Sequence, residues 1–253
     1  MRRLLIAGNW KMNKLQAEAR EFAAQFLPRV SGVEKVEMLI CPPFTCLSAM
    51  QSSLAGSRVV LGAQNMYGEA QGAFTGEVSP AMLVDTGCRY VIIGHSERRQ
   101  ILGENNFVIH KKLAAALENG LRPILCVGET LQERENQLAM QVVQEQLQQA
   151  LTGLNFPAEQ LVVAYEPVWA IGTGINASCN DAQEMCLFVR KGLESLFNRE
   201  TADGIRILYG GSVKADNIAK FLEQPDIDGA LIGGASLEAA SLAAIVGVGE
   251  NVK

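Results

Sequence analysis

The sequence predicts an α/β protein in which eight parallel strands close into a (βα)8 barrel with an outer ring of helices. Short, continuously apolar runs, typical of strands buried on both faces, occur eight times, and helical patterns separate them. Right-handed crossovers between such strands wrap a parallel sheet onto itself. Because no linker-like or low-complexity segment divides the 253 residues, we expect residues 1–253 to form a single barrel domain.

The strands and helices alternate along the chain. Strands are predicted at residues 4–8, 36–41, 58–63, 90–94, 123–127, 161–165, 205–209 and 229–232. Helices are predicted where apolar residues recur every three or four positions, at residues 16–26, 107–118, 131–151, 182–197 and 216–222. A doubly wound open sheet is the alternative. Its GxGxxG motif is absent after the first strand, where Gly8-Asn9-Trp10-Lys11 stands instead, so the closed barrel is favoured.

Composition narrows the class of protein. A content of 48% apolar and 19% charged residues is typical of a soluble globular protein, and a net charge of -5 argues against nucleic-acid or acidic-membrane partners. No apolar stretch approaches the roughly 20 residues that span a bilayer. The six cysteines form no CxxC pair and the chain has only two histidines, so we expect reduced cytosolic thiols and no metal site.

Polar residues close several of the apolar runs. Asn9 and Lys11 follow the first strand, Gln64 and Asn65 follow the third, His95 follows the fourth and Glu166 follows the sixth. Because the sites of such barrels lie at the carboxyl ends of the strands, these are the positions to inspect, and Asn9, Lys11, His95 and Glu166 are the candidates for chemistry.

Alternation along the strands predicts where these side chains point. Counting back in steps of two, His95 shares a face with Val91 and Ile93, and Glu166 shares one with Ala164. We therefore expect these side chains, and those after the first strand, to point inward at one place.

Glu166 is the most informative candidate. A charged side chain is rarely buried without a partner, and this one ends an apolar strand and precedes a glycine-rich loop. The segment is typical of a general base beneath a mobile lid, or of a glutamate that is solvated or paired with a lysine. Taken alone, it leaves both interpretations open.

His95 lies between a predicted strand and a helix start, with Ser96 as a cap and Glu97 in the first turn. Proximity to the helix N-terminus would lower the pKa of the imidazole and keep it neutral, so that one ring nitrogen donates a hydrogen bond. The alternative is a capping loop with a solvated histidine.

Lys11 has three interpretations: a surface charge at a strand end, a cation that stabilises a developing enolate and attracts an anionic substrate, or a Schiff-base lysine. Its combination with a base and a histidine favours the second.

Two glycine pairs follow the last two strands, Gly210-Gly211 and Gly233-Gly234. Each alone indicates only a turn, but together they match the recurrent phosphate site of these barrels, where backbone amides face an anion. A third glycine-containing loop, at residues 71–77, carries Phe74 near its tip, which indicates a docking loop.

Seven motifs in order, across about residues 4–240, make this chain resemble the triosephosphate isomerase family. They are Asn9-Trp10-Lys11-Met12-Asn13, Gly62-Ala63-Gln64-Asn65, Gly72-Ala73-Phe74-Thr75-Gly76-Glu77, Gly94-His95-Ser96-Glu97-Arg98-Arg99, the segment from Ala164 to Gly174, Tyr209-Gly210-Gly211-Ser212-Val213 and Gly233-Gly234-Ala235-Ser236-Leu237. The resemblance implies a cytoplasmic enzyme of glycolysis and gluconeogenesis that interconverts dihydroxyacetone phosphate and D-glyceraldehyde 3-phosphate on a TIM barrel without a cofactor.

The resemblance also implies a role for each site residue. Glu166 would transfer the carbon proton, His95 would polarise the carbonyl, Lys11 and Asn9 would stabilise the oxyanion, and Glu97 would orient this group. Phosphate would be bound by Asn9, Lys11, Gly172, Ser212, Gly233 and Gly234. The lid would comprise Pro167, Val168, Trp169, Ala170, Ile171, Gly172, Thr173, Gly174, Ile175, Asn176 and Ala177, with Tyr209 and Ser212 as its latch. A homodimer would form through the loop with Phe74, Thr75 and Gly76.

One departure from the family pattern lies at the distal hinge of the lid. Ile175-Asn176-Ala177 stands where relatives commonly carry a lysine, which bears on lid motion and not on the chemistry. Two other functions compete with the isomerase: a different phosphosugar isomerase or synthase on the same barrel, and a silent barrel that only binds a phosphometabolite or a protein. The joint presence of Lys11, His95 and Glu166 with this lid argues against both.

Overall fold

The computed structural model describes residues 2–171 and 177–252. All eight strands are parallel and pair in chain order, and the eighth returns to the first, so the predicted closed barrel is confirmed. The strands are β1 (Leu5–Asn9), β2 (Glu37–Cys41), β3 (Val59–Ala63), β4 (Tyr90–Ile93), β5 (Arg122–Val127), β6 (Val162–Tyr165), β7 (Arg206–Tyr209) and β8 (Gly229–Ile232). Each predicted strand lies within one residue of these bounds.

Helices follow the strands and pack around the outside of the barrel. They are α1 (Gln16–Val30), α2 (Leu47–Leu54), α3 (Pro80–Asp85), α4 (Ser96–Gln100), α5 (Asn106–Glu118), α6 (Leu131–Glu135), α7 (Ala139–Leu151), α8 (Cys179–Leu196), α9 (Arg199–Gly204), α10 (Ile218–Leu222) and α11 (Ala239–Val252). Within the described ranges, none of them is long and apolar enough to cross a membrane.

The single helix predicted over residues 131–151 is wrong, because the chain forms two helices there. α6 starts with a capping box between Thr130 and Glu133 and ends after one turn. Gln137 then takes a φ of 60°, in the left-handed region, which a right-handed helix cannot continue through. α7 restarts two residues later. The break falls in a run of six polar residues, Gln132 to Gln137, so the apolar pattern carries no information on whether the helix continues there.

Side chains of the strands divide into two layers. The inner layer fills the barrel with alternate strand residues, namely Leu5, Ala7, Leu39, Cys41, Tyr90, Ile92, Ile124, Cys126, Val162, Ala164, Leu208 and Leu231. The residues between them, such as Ile6, Ile40 and Val163, pack outward in the cluster that includes the helices. A residue that follows a strand in step with the inner layer therefore points into the mouth of the barrel.

Candidate active site

A cavity of about 280 Å³ lies at the carboxyl ends of the strands. Its walls include seven of the residues that the sequence analysis selected: Asn9, Lys11, His95, Glu166, Ser212, Gly233 and Gly234. These residues come from β1, β4, β6, β7 and β8 or the loops that follow them, so the barrel brings distant parts of the chain to one place. Among the described residues, no group of three or more His, Cys, Asp or Glu side chains is arranged to hold a metal ion.

Glu166 follows β6 in step with Ala164 of the inner layer and is 2% exposed. Its carboxylate is held by two groups from the β4–α4 connection. Oε2 accepts a hydrogen bond of 2.9 Å from the backbone N–H of Ser96, and Oε1 lies 3.0 Å from His95 Nε2. The predicted inward direction of Glu166 is confirmed, and the carboxylate has specific partners rather than solvent.

The pKa of Glu166 reflects these partners. Burial by itself raises the pKa of this carboxyl, but His95, the Ser96 N–H and the Lys11 ammonium together lower it below the usual range. Although protein encloses Glu166, its carboxylate is therefore ionised at neutral pH. This is the protonation state that a base requires.

His95 reaches the cavity by a route that alternation did not predict. Val91 and Ile93 belong to the outer layer, whereas Ile92 faces the barrel interior, so the expected shared face of His95 with Val91 and Ile93 is wrong. Gly94 has a φ of 72°, a conformation that glycine adopts at little cost. This residue interrupts the alternation and brings His95 into the mouth of the barrel.

The hydrogen bonds of His95 define its tautomer. His95 caps α4, and its Nδ1 accepts a hydrogen bond of 3.2 Å from the backbone N–H of Glu97. An accepting Nδ1 carries no proton, so the ring is neutral and Nε2 is the nitrogen that donates toward Glu166.

The direction of the His95 pKa shift differs from the expectation. Burial is the largest single influence and lowers this pKa, but the Glu166 carboxylate in contact with the ring and the nearby Glu97 carboxylate together raise it more, and the net shift is upward. The predicted lowering of the His95 pKa by the N-terminus of α4 is therefore wrong as long as Glu166 contacts the ring. A substrate that separated the two side chains would remove the largest contribution that raises the pKa of His95.

Lys11 is held in an uncommon backbone conformation with a φ of 53°. Asn9 Oδ1 accepts a hydrogen bond of 3.0 Å from the Lys11 N–H, and Gln64 Nε2 donates one of 2.9 Å to the Lys11 carbonyl. The ammonium group lies 2.6 Å from Glu97 Oε1. Asn9 and Gln64 thus stabilise a strained main chain that aims the cation at the cavity. Gln64 was not among the predicted site residues, although its position after β3 was a signal.

Part of the predicted phosphate site lies beside Lys11, because β8 is paired with β1. Gly233 follows β8, and Lys11 Cε lies 3.2 Å from where a Cβ on Gly233 would be, so the lysine chain runs directly beside this glycine. Gly234 begins a 3-10 turn that ends at Ser236. The remaining predicted phosphate ligand, Gly172, lies outside the described residues.

The first part of the predicted lid is described, from Pro167 to Ile171, together with its last residue, Ala177, whereas Gly172, Thr173, Gly174, Ile175 and Asn176 lie outside the described residues. Ser212 Oγ donates a hydrogen bond of 3.3 Å to the Ala170 carbonyl, so one predicted latch residue contacts the lid. The other, Tyr209, is fully buried, and its hydroxyl has no hydrogen-bond partner in the described part of the chain.

Glu129 supports the start of the lid and was missed by the sequence analysis. It is fully buried just after β5, and its Oε1 accepts hydrogen bonds from Trp169 Nε1 at 2.8 Å and from the Tyr165 hydroxyl at 3.1 Å. Arg134 lies 3.3 Å from the same oxygen. The sequence did contain a signal for Glu129, because a carboxylate at the end of an apolar strand is the same feature that selected Glu166.

Comparisons with known proteins agree with this site. A family model described as triosephosphate isomerase matches residues 4–248. Proteins of that name from Symbiobacterium thermophilum and Moorella thermoacetica are each 56% identical over 247 residues, covering 97% of this chain and 96% and 98% of their own lengths. The protein from Carboxydothermus hydrogenoformans is 53% identical over the same share of this chain.

A closed barrel with a carboxylate and a histidine in its mouth, in a chain whose relatives are named as isomerases, places this protein among the isomerases. More narrowly, the chain belongs to the triosephosphate isomerase family.

Proposed function

We propose that Glu166 is the base that moves a proton between two carbons of a triose phosphate, while His95 and Lys11 stabilise the charge on oxygen. As a family member, the chain is an isomerase that interconverts dihydroxyacetone phosphate and D-glyceraldehyde 3-phosphate in glycolysis. The observation that carries the proposal is an ionised, 2% exposed carboxylate 3.0 Å from the neutral ring of His95.

The reaction needs one carboxylate in two roles. Glu166 leaves the Ser96 N–H and takes the proton from C1 of dihydroxyacetone phosphate. The C–H electron pair becomes the C1=C2 double bond, and the carbonyl electrons move to the C2 oxygen, which gives an enediolate. The same carboxyl then returns the proton to C2 and forms glyceraldehyde 3-phosphate. No electrons leave the substrate, so the sequence of steps needs no oxidant.

Groups facing the oxygens stabilise this intermediate. His95 Nε2–H donates to the oxygen on which charge develops and transfers protons between the two oxygens, while Lys11 and Asn9 add fixed positive charge and a dipole. Glu97 orients both, because its carboxylate lies 2.6 Å from Lys11 Nζ and its N–H bonds His95 Nδ1.

The phosphate group anchors the substrate between Lys11 and the amides of Gly172, Ser212, Gly233 and Gly234. Backbone N–H groups without bulky side chains bind the phosphate oxygens closely. The lid of residues 167–177 then closes, with Tyr209 and Ser212 as its latch, and excludes water that would weaken these interactions.

The protein acts as a cytoplasmic homodimer in this proposal, with the loop of Phe74, Thr75 and Gly76 inserted beside the site of a second copy. Apolar side chains that a single chain leaves in water support it: Met12 is 95% exposed, Ile101 is 76% exposed and Phe74 is 40% exposed. A dimer interface over these side chains would remove their apolar surface from water.

The role of Glu166 is tested by Glu166→Asp, which retracts the carboxylate by one methylene. We expect kcat with glyceraldehyde 3-phosphate to fall at least about 100-fold, while inhibition by inorganic phosphate persists. The exposed Glu159→Asp variant, measured in the same coupled assay, is the control and keeps full turnover. Unchanged turnover of Glu166→Asp would refute the base assignment.

The dimer is tested by light scattering at micromolar concentration, which we expect to give twice the chain mass. Phe74→Glu places a charge in the proposed interface and lowers both the mass and the turnover. Leu187→Glu, at an apolar position of α8 that is 37% exposed, serves as the control and changes neither. A fully active monomer refutes the inserted loop.

A further inference from the structure

Gln146, on α7, makes an unusual pair of contacts with one residue at the end of β5. Its Oε1 accepts a hydrogen bond of 2.8 Å from the Gly128 N–H, and its Nε2 donates one of 3.0 Å to the Gly128 carbonyl. A single side-chain amide thus binds both backbone groups of Gly128, and these groups belong to the two successive peptide units on either side of its Cα. The amide therefore fixes the orientation of both peptide planes.

The far side of the first peptide plane contacts the backbone of Glu166. The Val127 carbonyl, in the same peptide unit as the Gly128 N–H, accepts a hydrogen bond of 2.8 Å from the Glu166 N–H. In a trans peptide the carbonyl and the N–H point in opposite directions. An unbroken path of hydrogen bonds therefore runs from Gln146 through one rigid peptide unit to the backbone of Glu166.

The start of the lid is attached to the same turn. The Glu129 carbonyl belongs to the peptide unit that follows these two. It accepts a hydrogen bond of 3.1 Å from the Val168 N–H. Packing is tight here, because a Cβ on Gly128 would overlap the main-chain carbonyl of Glu166. A small rotation of the Gly128 peptide units therefore displaces both the base and the first residues of the lid.

We propose that Gln146 is a positioning residue for the isomerisation, which acts on Glu166 through the two peptide units of Gly128 and never touches substrate. The inference rests on the proposed role of Glu166 as the base. A side chain that only joined α7 to the barrel would need one contact to any atom of β5. This one matches both the donor and the acceptor of Gly128, a residue that packs directly against the Glu166 backbone.

The first test is Gln146→Met, which keeps the length of the side chain and loses both hydrogen bonds. We expect kcat to fall about tenfold, because a displacement of well under 1 Å of the base is costly, while KM and inhibition by inorganic phosphate stay within about twofold. Gln148→Met, an exposed position on the same helix, is the control and keeps wild-type kinetics. Wild-type kcat in Gln146→Met overturns the proposal.

A double-mutant cycle separates positioning from a general loss of stability. If Gln146 acts through Glu166, the Gln146→Met change lowers kcat much less when Glu166→Asp has already misplaced the carboxylate. Equal fold-losses in both backgrounds overturn the proposal. Wild-type turnover of Glu166→Asp alone instead contradicts the base assignment, so the two failures are distinguishable.

A second variant covers the case in which Gln146→Met does not fold. Gln146→Glu keeps the shape and the acceptor for the Gly128 N–H, and it replaces the donor by an oxygen that cannot bond the Gly128 carbonyl. If both variants fold, we expect the kcat of Gln146→Glu to lie between those of wild type and Gln146→Met. If only Gln146→Glu folds, we expect its kcat to be about threefold below that of wild type. In both cases KM stays unchanged. Wild-type kcat in a folded Gln146→Glu, or a loss in KM alone, overturns the proposal.

Discussion

Each end of the barrel holds a glutamate, half-buried at the amino-terminal end and buried at the carboxyl-terminal end, and the two carboxylates have different partners. At the amino-terminal end, Glu37 accepts hydrogen bonds from Arg206 at 2.6 Å and from the Tyr90 hydroxyl at 2.7 Å. Arg206 and Arg122 also donate to that hydroxyl, at 2.7 and 3.3 Å. At the carboxyl-terminal end, Glu166 lines an open cavity and is held by a backbone N–H and a neutral ring.

These different partners indicate that the amino-terminal end of the barrel serves stability and the carboxyl-terminal end serves chemistry. Around Glu37 every charge is closed into a network by residues at the starts of β2, β4, β5 and β7. Around the cavity, Lys11 has a strained backbone and the Tyr209 hydroxyl lacks a partner among the described residues. Such defects at functional sites trade stability for reactivity, as expected for a barrel whose chemistry lies at one end.

The largest expected effect is on turnover, at the carboxyl-terminal end. Glu166→Gln keeps an acceptor for the Ser96 N–H but cannot take a proton, so kcat falls at least about 1,000-fold. The free energy of unfolding changes by less than about 1 kcal/mol, because the shape and the hydrogen bond remain. Steady-state kinetics and urea unfolding check both parts. A large loss of stability would mean that Glu166 is as structural as Glu37.

The same substitution at the amino-terminal end gives the reverse result. Glu37→Gln leaves Arg206 buried without its counter-charge, so we expect a loss of about 3 kcal/mol in the free energy of unfolding and an unchanged kcat. Urea unfolding at one protein concentration measures the loss. Reduced turnover in a fully folded Glu37→Gln variant contradicts the division between the two ends.

The stability difference between wild type and Glu37→Gln depends on pH. Burial raises the pKa of Glu37, but Arg206, Tyr90 and Arg122 together lower it more, so it lies below its unfolded value of about 4.3. Ionised Glu37 therefore stabilises the fold above that pH, and the contribution disappears as the pH falls through the folded pKa. Wild type and Glu37→Gln should converge in stability in that acid range.

Two buried tyrosine hydroxyls extend the comparison. Tyr209→Phe removes a hydroxyl without a partner among the described residues, so stability changes by less than about 0.5 kcal/mol, while kcat falls about tenfold if the hydroxyl latches the closed lid. Tyr90→Phe removes a hydroxyl bonded to Glu37 and Arg206 and costs about 1–3 kcal/mol with kcat unchanged. Thermal unfolding and the coupled assay separate the two; a stability loss in Tyr209→Phe would contradict the latch.

The smallest effect is a shift in one pKa. Lys11 contributes to the lowered pKa of Glu166, after the larger contributions of His95 and the Ser96 N–H. Lys11→Met should therefore raise the pKa of Glu166 and leave that of Glu37 unchanged, since Lys11 is not among its partners. Carboxyl ¹³C NMR over a pH series measures both groups in one sample. A downward shift at Glu166 would show that Lys11 does not face it.

Much of the site was predictable because it depends on local pattern. Alternation correctly placed Glu166, since β6 runs regularly up to it, and the glycine pairs after β7 and β8 stood out in the sequence. His95 shows the limit of that reasoning. His95 does point inward as predicted, but one glycine with a φ of 72° puts it on the opposite face from Val91 and Ile93, and a backbone dihedral angle leaves no trace in a hydrophobic pattern.

The barrel, its strand order and the polar groups at the strand ends follow from the sequence alone, because periodicity and alternation are properties of neighbouring residues. Only the tertiary structure decided the partners: Gln146 binds Gly128 across 18 residues, Tyr90 binds Glu37 across 53 and Arg206 binds Glu37 across 169. The contact of Arg206 with Glu37 needs the closed barrel, and the others need a helix or a distant strand packed in place, which no local pattern specifies. Orientation and pKa follow from them, and so these properties emerge with the fold.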